Sequence, residues 1–422
     1  MMETTRKLAT ITAIKALRPI DGADKIEVAT MTTNSWQVVV GKGEFKVGDK
    51  AIYFEIDSFL PKEDRYAILD GRCNKTMDGQ EGYRLRTIRL RGAISQGFLM
   101  PLSKFTDVIE RGITIGADGS DVTKELGVQL WTPPFVAGSF FMGEAAGSFP
   151  THIVPKTDQI RIQSMGKEIM DMLGHTFEVT EKIDGTSCTM AMHRKEIPTF
   201  GCHINPNTGE MTGSESDVEY DFYVCSRNLQ VKAPCVYWNM VEKYNLQERL
   251  EQWCEKNKRS IAIQGEICGP GIQGNPLKLP DVQFFVFDIY DVDNQRYLAA
   301  GARHGVVEEL NAYDGTKIQH VPLLGYQAIS PNHNHIIKAA EATTSYTNSY
   351  IAEFGNTDGC TQSWSIFTNA ITEGVVDDLI KQAEGKAFAG SGHREGLVFK
   401  SVTAPSVSFK VINNQFLLAE KD

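Results

Sequence analysis

The sequence feature that most constrains the fold is a change of pattern on either side of residues 131–150. This stretch, WTPPFVAGSFFMGEAAGSFP, concentrates proline, glycine and serine without a sustained period, which is typical of a linker. Before it, short β-type runs are separated by turn signals, and after it helical and strand patterns alternate. The pattern predicts two domains, residues 1–130 and 151–422, and the chain is long enough for each to bury its own core.

The two regions predict different architectures. In the first, KIEVATM, SWQVVVGKG and KAIYFEID are rich in valine, isoleucine and aromatic residues, and turns of the IDGAD and KVGD kind separate them. Several short strands at this spacing favour a small β-barrel. In the second, the strands HTFEVTEKI, RSIAIQGEI and VQFFVFDIY lie between two predicted amphipathic helices, SMGKEIMDMLG and YWNMVEKYNLQERLEQWCEKN. The expected fold class is therefore α+β.

Composition excludes several classes of protein. No apolar run approaches the roughly 18 to 20 residues that span a bilayer, and the N-terminus lacks the pattern of a signal peptide. The eight cysteines include no C-x-x-C pair, so neither a zinc ribbon nor a disulfide framework is indicated. We therefore expect a cytoplasmic protein with reduced cysteines and no membrane association.

Charge is distributed unevenly along the chain. The net charge is −10, but residues 1–130 hold 19 basic and 18 acidic side chains, which leaves 24 against 35 in the remainder. The segment YRLRTIRLRGAISQ spaces its arginines two apart, and on a strand each such pair shares one face. This pattern predicts a nucleic-acid-binding stripe, with a solvated sheet face as the alternative; its members are Arg84, Arg86, Arg89 and Arg91.

A lone lysine ends a β-type run in VTEKIDGTSCTM, residues 179–190. Asp184 and Gly185 follow Lys182 after one intervening residue, and the purely structural interpretation is a solvated strand end before an Asp-Gly turn. Further motifs follow in order along the chain: Arg227 in VCSRN, Glu266 in AIQGEICGPGIQGN, Phe285 and Phe287 in FFVFDIY, Glu395 and Lys400 in HREGLVFK, and Lys410 in SVSFKVINNQF.

Taken as an ordered set, these motifs resemble those of the covalent nucleotidyltransferase superfamily, which contains polynucleotide ligases and messenger-RNA capping enzymes. In that chemistry a lysine amine attacks the α-phosphorus of a nucleoside triphosphate and releases pyrophosphate. A lysine with a pKa of ~10.4 is protonated at neutral pH and cannot attack, so a cationic environment is expected to lower its pKa and free the amine. Carboxylates are expected to hold hydrated magnesium through its waters.

The domain order identifies the branch that the chain resembles. Only twelve residues follow Lys410, too few for a C-terminal barrel, and the predicted barrel comes first. With IDGADKIEVA, VGDKAIYFEIDSFLP, PKTDQIRIQ and GPGIQGN, the chain resembles ATP-dependent RNA ligases with an N-terminal OB domain and a C-terminal nucleotidyltransferase domain. The resemblance implies an OB-type barrel followed by an adenylyltransferase domain of antiparallel sheets with helices, arranged in an ATP-grasp-like way. It does not cover the linker or roughly residues 300–390.

The resemblance also implies roles for individual residues. Lys182 would be the adenylylated nucleophile, and Asp184, Glu266 and Glu395 would position Mg²⁺ or Mn²⁺. Phe287 would stack on adenine, with Phe285 as the alternative. The implied nucleotide-binding residues are Arg161, Glu181, Asp184, Arg227, Glu266, Phe287, Glu395, Lys400 and Lys410, of which Arg161 would engage pyrophosphate and Lys410 the α-phosphate. The family often has two lysines in its last motif, and Lys400 is a candidate for the second.

The implied function is ATP-dependent joining of RNA 3′-OH and 5′-phosphate ends through lysyl-AMP and an adenylylated strand, in nick sealing or RNA repair. Two alternatives stay open, a capping-type guanylyltransferase and a non-catalytic RNA-binding OB protein with a decayed transferase domain. The expected partner is broken RNA or an RNA–DNA hybrid, and we expect a monomer. Because the barrel is the predicted RNA clamp, the transferase domain alone is expected to accept adenylate.

Overall fold

The computed structural model describes most of the chain, and every structural statement below concerns the residues it describes. These are residues 6–107, 117–132, 143–166, 168–197, 203–204, 211–212, 217–313, 315–354, 362–390 and 392–419. None of the helices in these ranges is long and apolar enough to span a membrane.

The N-terminal part is a curled antiparallel β-structure. Its strands are β1 (Ala9–Pro19), β2 (Ile26–Met31), β3 (Gln37–Gly41), β4 (Lys50–Phe54), β5 (Ser58–Pro61), β6 (Asn74–Met77), β7 (Gln80–Arg84), β8 (Thr87–Leu90), β9 (Ala93–Gln96), β10 (Phe98–Pro101) and β11 (Gln129–Leu130). One sheet has the order β10-β4-β1-β2-β3, a second has the order β11-β5-β7-β6, and β8 pairs with β9 as a hairpin. Short 3₁₀ turns lie at Asp64–Leu69 and Leu102–Phe105. The small barrel predicted from the sequence is confirmed.

The C-terminal part is built on two larger sheets. Its strands are β12 (Ala145–Ser148), β13 (Ile160–Arg161), β14 (Thr176–Lys182), β15 (Thr186–Ile197), β16 (His203–Ile204), β17 (Met211–Thr212), β18 (Asp217–Cys225), β19 (Leu229–Val231), β20 (Ile261–Cys268), β21 (Gln283–Asp291), β22 (Arg296–Tyr297), β23 (Gln319–His320), β24 (Leu323–Ala328), β25 (Gly396–Ser401) and β26 (Ser408–Ile412). The first sheet has the order β12-β19-β18-β15-β20-β21-β22, with β23 also beside β21, and the second has the order β13-β26-β25-β14-β24.

Helices cover the outer faces of these sheets. They are α1 (Glu168–Asp171), α2 (Val236–Tyr244), α3 (Leu246–Asn257), α4 (Ala300–Asn311), α5 (His333–Phe354), α6 (Ser363–Ala383) and α7 (Asn414–Ala419), with a 3₁₀ turn at Ile162–Ser164. One buried cluster joins the first sheet to α2, α3 and α4, and another joins the second sheet to α6. The inner faces of the two sheets therefore face each other across a cleft. This arrangement confirms the α+β class.

One helix prediction was wrong in its extent. The pattern from residue 237 to 257 indicated a single helix, but the chain breaks at Asn245, whose φ of 48° is left-handed. Asparagine tolerates this conformation better than most residues, so α2 ends there and α3 begins at the next residue.

The strand geometry predicted for the arginine segment was also wrong. Strand β7 ends at Arg84 and β8 begins at Thr87, so Arg84 and Arg86 do not share a strand. Arg91 has a φ of 48° in the turn that follows β8, so it is not a strand residue either. Arg84 is buried with its guanidinium over the Trp131 ring, 5.2 Å from the centroid, whereas Arg89 and Arg91 are exposed. A strand break between Arg84 and Thr87 and a turn at Arg91 thus interrupt the arginine stripe predicted from the sequence.

The barrel is docked firmly on the C-terminal domain. Ile412 and Leu417, from the end of the chain, are buried in one cluster with Trp36 and other barrel residues. Trp36 donates its indole N–H to Ser164 Oγ at 3.0 Å. Because the two domains share apolar core, removal of the barrel would expose that core, and adenylate uptake by the transferase domain alone stays a prediction. Residues 133–142 of the predicted linker lie outside the described residues, and the domain boundaries remain predictions.

We predict that Trp36→Ala destabilises the whole protein. Trp36 is fully buried at the domain junction, and a large-to-small change at such a site costs about 3–5 kcal/mol. The matched control is Trp364→Ala, because Trp364 is 72% exposed and its removal should change stability by less than about 0.5 kcal/mol. Thermal unfolding followed by circular dichroism measures both. Equal midpoints for the two variants would show that the junction contributes little.

Candidate active site

The lysine that the sequence analysis singled out ends β14 and is held by a glutamate from the next strand. Lys182 Nζ lies 2.7 Å from Glu395 Oε1 and 2.8 Å from Oε2. The contact follows from strand register: β14 and β25 are antiparallel, Lys182 lies opposite Gly396, and Glu395 directly precedes that glycine. Sequence positions more than two hundred residues apart are thus joined by one backbone ladder.

The aspartate and glycine after the lysine lie where the two sheets meet. Gly185 packs so closely on β20 that a Cβ atom there would lie 2.4 Å from the Ile267 carbonyl oxygen and 2.6 Å from Cys268 Sγ. Only glycine fits this approach. In the strand that follows, Ser187 lies opposite Glu266. Through this close contact at Gly185, the chain runs from Lys182 past Asp184 into β15, which pairs with the Glu266 strand β20.

Electrostatics at the lysine differ from the sequence-based expectation. Burial by itself lowers the pKa of Lys182, but the carboxylates of Glu395, Glu266 and Asp184 outweigh it and raise the pKa above its ordinary value. The lysine is therefore held as an ammonium ion. Burial raises the pKa of Glu266 to about 8, with Glu395 and Asp184 adding to the shift and Lys182 opposing it.

A cluster of partly buried carboxylates is the donor chemistry that a hard divalent cation needs. Asp184, Glu266 and Glu395 converge on one lysine, and burial first, then repulsion by Glu395 and Asp184, raises the pKa of Glu266. Within the described residues no three histidine, cysteine or acidic side chains are close enough to ligate a metal directly. The carboxylate oxygens of Asp184, Glu266 and Glu395 are the donor type that Mg²⁺ or Mn²⁺ prefers, and contact with such an ion through its waters stays a prediction for these three residues.

A second group of charges converges on Asp158. Lys410 Nζ lies 2.7 Å from Asp158 Oδ1, and Arg227 Nη2 lies 3.3 Å from Asp158 Oδ2. Burial lowers the pKa of Lys410 to about 8, with Asp158 opposing the shift and Arg161 and Lys182 contributing to it. The sequence analysis missed Asp158, although it lies in the quoted motif PKTDQIRIQ, because an aspartate beside predicted phosphate-binding residues has no obvious role until its partners are seen.

The barrel reaches this group through Arg161. Arg161 Nη2 lies 2.7 Å from Asp57 Oδ2, and Arg161 precedes the 3₁₀ turn that carries Ser164. Burial would raise the pKa of Asp57, but Arg161 and Arg6 outweigh it and lower the pKa to about 2. Asp57 lies in the quoted motif VGDKAIYFEIDSFLP, but no local pattern there indicates that a barrel residue holds Arg161 in place.

The two phenylalanine candidates differ in exposure. A β-bulge pairs Gln264 with Asp288 and Gly265 with Val286, so Phe287 has no partner in the ladder. Phe287 is partly exposed, whereas Phe285 is buried with its ring against that of Phe388 at 5.8 Å. Val398 of β25 is also partly exposed. Lys400, two residues further along the same strand, contacts the Phe287 carbonyl oxygen with its ammonium group. The bulge therefore leaves Phe287 facing the cleft.

Lys400 is not brought to the phosphate end of the cleft. It lies opposite Glu178 in the β14–β25 ladder, four residues from the Lys182 position, or about 13 Å at the usual strand rise. Its ammonium group forms a buried ion pair with Asp288. Burial lowers the pKa of Lys400, with Arg303 adding to the shift and Asp288 opposing it. Its position does not support the phosphate contact expected from the sequence.

Glu181 contacts the loop before β25 and not the lysine side of the strand. Its Oε1 accepts the Phe388 N–H at 2.9 Å. Neighbouring residues of a strand point to opposite faces, so the Glu181 and Lys182 side chains diverge. A direct nucleotide contact by the Glu181 side chain stays a prediction.

We predict that Gly185→Ala damages this site more than the overall fold. The added methyl group would overlap backbone and sulfur atoms of β20, and overpacking of this kind costs about 1–3 kcal/mol. The displacement would separate Glu266 from Lys182, so covalent nucleotide uptake should fall at least tenfold. The control is Gly301→Ala in α4, where a Cβ atom meets nothing within 4 Å. Normal covalent labelling of the Gly185 variant by the nucleotide would contradict the claim that close packing at Gly185 positions Glu266 relative to Lys182.

Comparison with known proteins agrees with this geometry. A family model described as OB-fold domain matches residues 8–102, and one described as RNA ligase matches residues 175–412. No curated protein gives a significant match. Two structures of Naegleria gruberi RNA ligase mutants, one with AMP and Mn and one with ATP and Mn, are 32% identical with a TM-score of 0.73, covering 98% of this chain and 99% of theirs. A third, with pyrophosphate, is 33% identical at the same TM-score and covers 98% of both chains. The chain belongs to the RNA ligase family and carries an N-terminal OB-fold domain, as its motifs predicted.

Proposed function

We propose that the protein is an ATP-dependent RNA ligase that joins 3′-OH and 5′-phosphate ends through a lysyl-AMP intermediate on Lys182. The observation that carries this proposal is the partly buried Lys182 held by Glu395, with Asp184 and Glu266 close enough to influence its pKa. The Naegleria ligase structures contain ATP or AMP with Mn, and pyrophosphate in another case, which supports ATP as the nucleotide donor.

In the first step Lys182 Nζ forms a bond to the α-phosphorus of ATP, and the bond from that phosphorus to the pyrophosphate oxygen breaks. The amine must lose its proton before it attacks, and Glu395 contacts the nitrogen at 2.7 Å, within reach to accept that proton. Asp184, Glu266 and Glu395 would hold Mg²⁺ or Mn²⁺ through its waters, and the ion would supply positive charge that stabilises the phosphate oxygens.

Two groups of residues would place the nucleotide. Phe287 and Val398 are partly exposed on facing strands, and a flat base between them would bury apolar surface on both of its faces. Lys410, Arg227 and Arg161 form the basic end of the cleft, where charge-assisted hydrogen bonds to phosphate are strongest. Arg161 is held by Asp57, so we propose that the barrel sets the position of the group that binds the departing pyrophosphate.

The later steps transfer AMP from Lys182 to the RNA 5′-phosphate, after which the 3′-OH attacks that phosphate and AMP leaves. We propose a nick in duplex RNA or in an RNA–DNA hybrid as the natural substrate, and a monomeric cytoplasmic enzyme. The docked barrel supports this choice, because it fixes a second surface beside the nucleotide cleft to which a duplex can bind.

We predict that Lys182→Ala separates the steps of the reaction. The variant should form no covalent adduct with labelled ATP, because the nucleophile is absent. It should still seal a nick whose 5′ end is already adenylylated, because that step needs no lysine nucleophile. Gel assays of labelling and of single-turnover sealing measure the two outcomes.

The control for this experiment is Lys256→Ala, since Lys256 is an exposed lysine of α3. A covalent label that persists on the Lys182 variant would identify another nucleophile. A label formed only with GTP would favour a capping-type guanylyltransferase. A wild-type protein that binds RNA without any label would favour the non-catalytic alternative.

A further inference from the structure

A cavity lies where the OB domain meets the end of the chain. It has a volume of about 610 Å³, with residues 86–89 on one wall and Gln415, Leu417 and Leu418 of α7 on the other. The cavity therefore belongs to neither domain alone. It exists because α7 docks its buried Leu417 into the barrel core.

The lining combines positive charge with apolar surface. Arg86 and Arg89 are both in the wall, none of the lining residues that the structure describes is acidic, and Arg89 is exposed. Thr87 and Gln415 add groups that hydrogen-bond, while Leu417 and Leu418 add apolar contact. A phosphate beside arginines and a sugar or base against leucines is the chemistry of one nucleotide unit.

The cavity is tied to the catalytic lysine by a short chain of contacts. Glu395, which holds Lys182, accepts the backbone N–H of Asn413 at its carbonyl oxygen at 2.9 Å. The next residue, Asn414, accepts an amide N–H of Gln96 at 3.2 Å.

Gln96 in turn donates to Thr87 Oγ1 at 3.4 Å, and Thr87 is a wall residue. Gln415 is two residues beyond Asn413, in the first turn of α7, so this wall of the cavity lies close along the chain to the Glu395 backbone contact.

We infer that this cavity binds a backbone nucleotide of the RNA substrate close to the break, with its phosphate on Arg86 and Arg89. The inference rests on the proposed function. It assigns a specific site to two of the four arginines and places it beside Glu395 and the last strand of the transferase domain. Substrate bound there would also contact both domains at once, so it would be recognised only by the docked arrangement.

The test uses the full-length protein with three variants and a nicked RNA duplex. Arg89→Glu reverses one exposed charge, Arg86→Ala/Arg89→Ala removes both, and Arg18→Ala removes an exposed arginine of β1 that lies outside the cavity. Each protein is assayed for labelling by ATP, for nick binding at several salt concentrations, and for sealing of a pre-adenylylated nick.

We expect the two cavity variants to bind and seal the nick at least tenfold more weakly than Arg18→Ala. The logarithmic salt slope of the double variant should flatten by about 0.9 for each phosphate that it no longer neutralises. ATP labelling of all variants should stay within about twofold of the wild type, because the cavity is not part of the nucleotide cleft.

Three results separate the possibilities. If the wild type is not labelled by ATP, the proposed function fails, whatever the cavity binds. If the wild type labels and seals but the cavity variants bind and seal like Arg18→Ala, the inference is overturned. If labelling falls as far as sealing in the Arg89→Glu variant, the cavity serves ATP or the fold, and the inference is overturned as well.

Discussion

The ion pair between Lys182 and Glu395 is the interaction on which the rest of the site depends. It forms because β14 and β25 are neighbours in an antiparallel ladder whose register places Lys182 opposite Gly396. A shift of one residue would turn Lys182 away from the cleft. Gly396 itself tolerates no side chain, since a Cβ atom would lie 2.2 Å from the Val411 carbonyl oxygen. The dipeptide Glu395-Gly396 thus combines the carboxylate that contacts Lys182 with the close strand packing that positions it.

The same register connects chemistry to domain arrangement. Strand β26 follows β25 and carries Lys410, and the chain then runs through Asn413 into α7, whose Leu417 is buried against the barrel. In the same sheet, Arg161 of β13 lies opposite Lys410, and Asp57 of the barrel holds Arg161. The barrel is therefore attached to the catalytic domain at both the last strand and the basic end of the cleft. Motion of the barrel would disturb the phosphate-binding residues directly.

The sequence predicted the two-domain order, the strand that carries Lys182, and the set of carboxylates, because each is encoded by local pattern or by an ordered set of motifs. It could not predict Asp158 or Asp57, since their partners lie far along the chain and only the fold brings them together. It did not indicate the ion pair between Lys400 and Asp288, and the phosphate contact expected of Lys400 stays a prediction. It also missed the turn at Arg91, where a positive φ at a non-glycine residue leaves little local signal.

The most direct test of the central claim is to locate the covalent nucleotide on the native protein. The full chain is incubated with magnesium and ATP, denatured, digested with protease and examined by mass spectrometry for a phosphoramidate adduct. The account predicts AMP on the peptide that contains Lys182, because that amine contacts Glu395 and lies near Glu266 and Asp184. AMP on the peptide of Lys400 or Lys410, or no adduct at all, would contradict it.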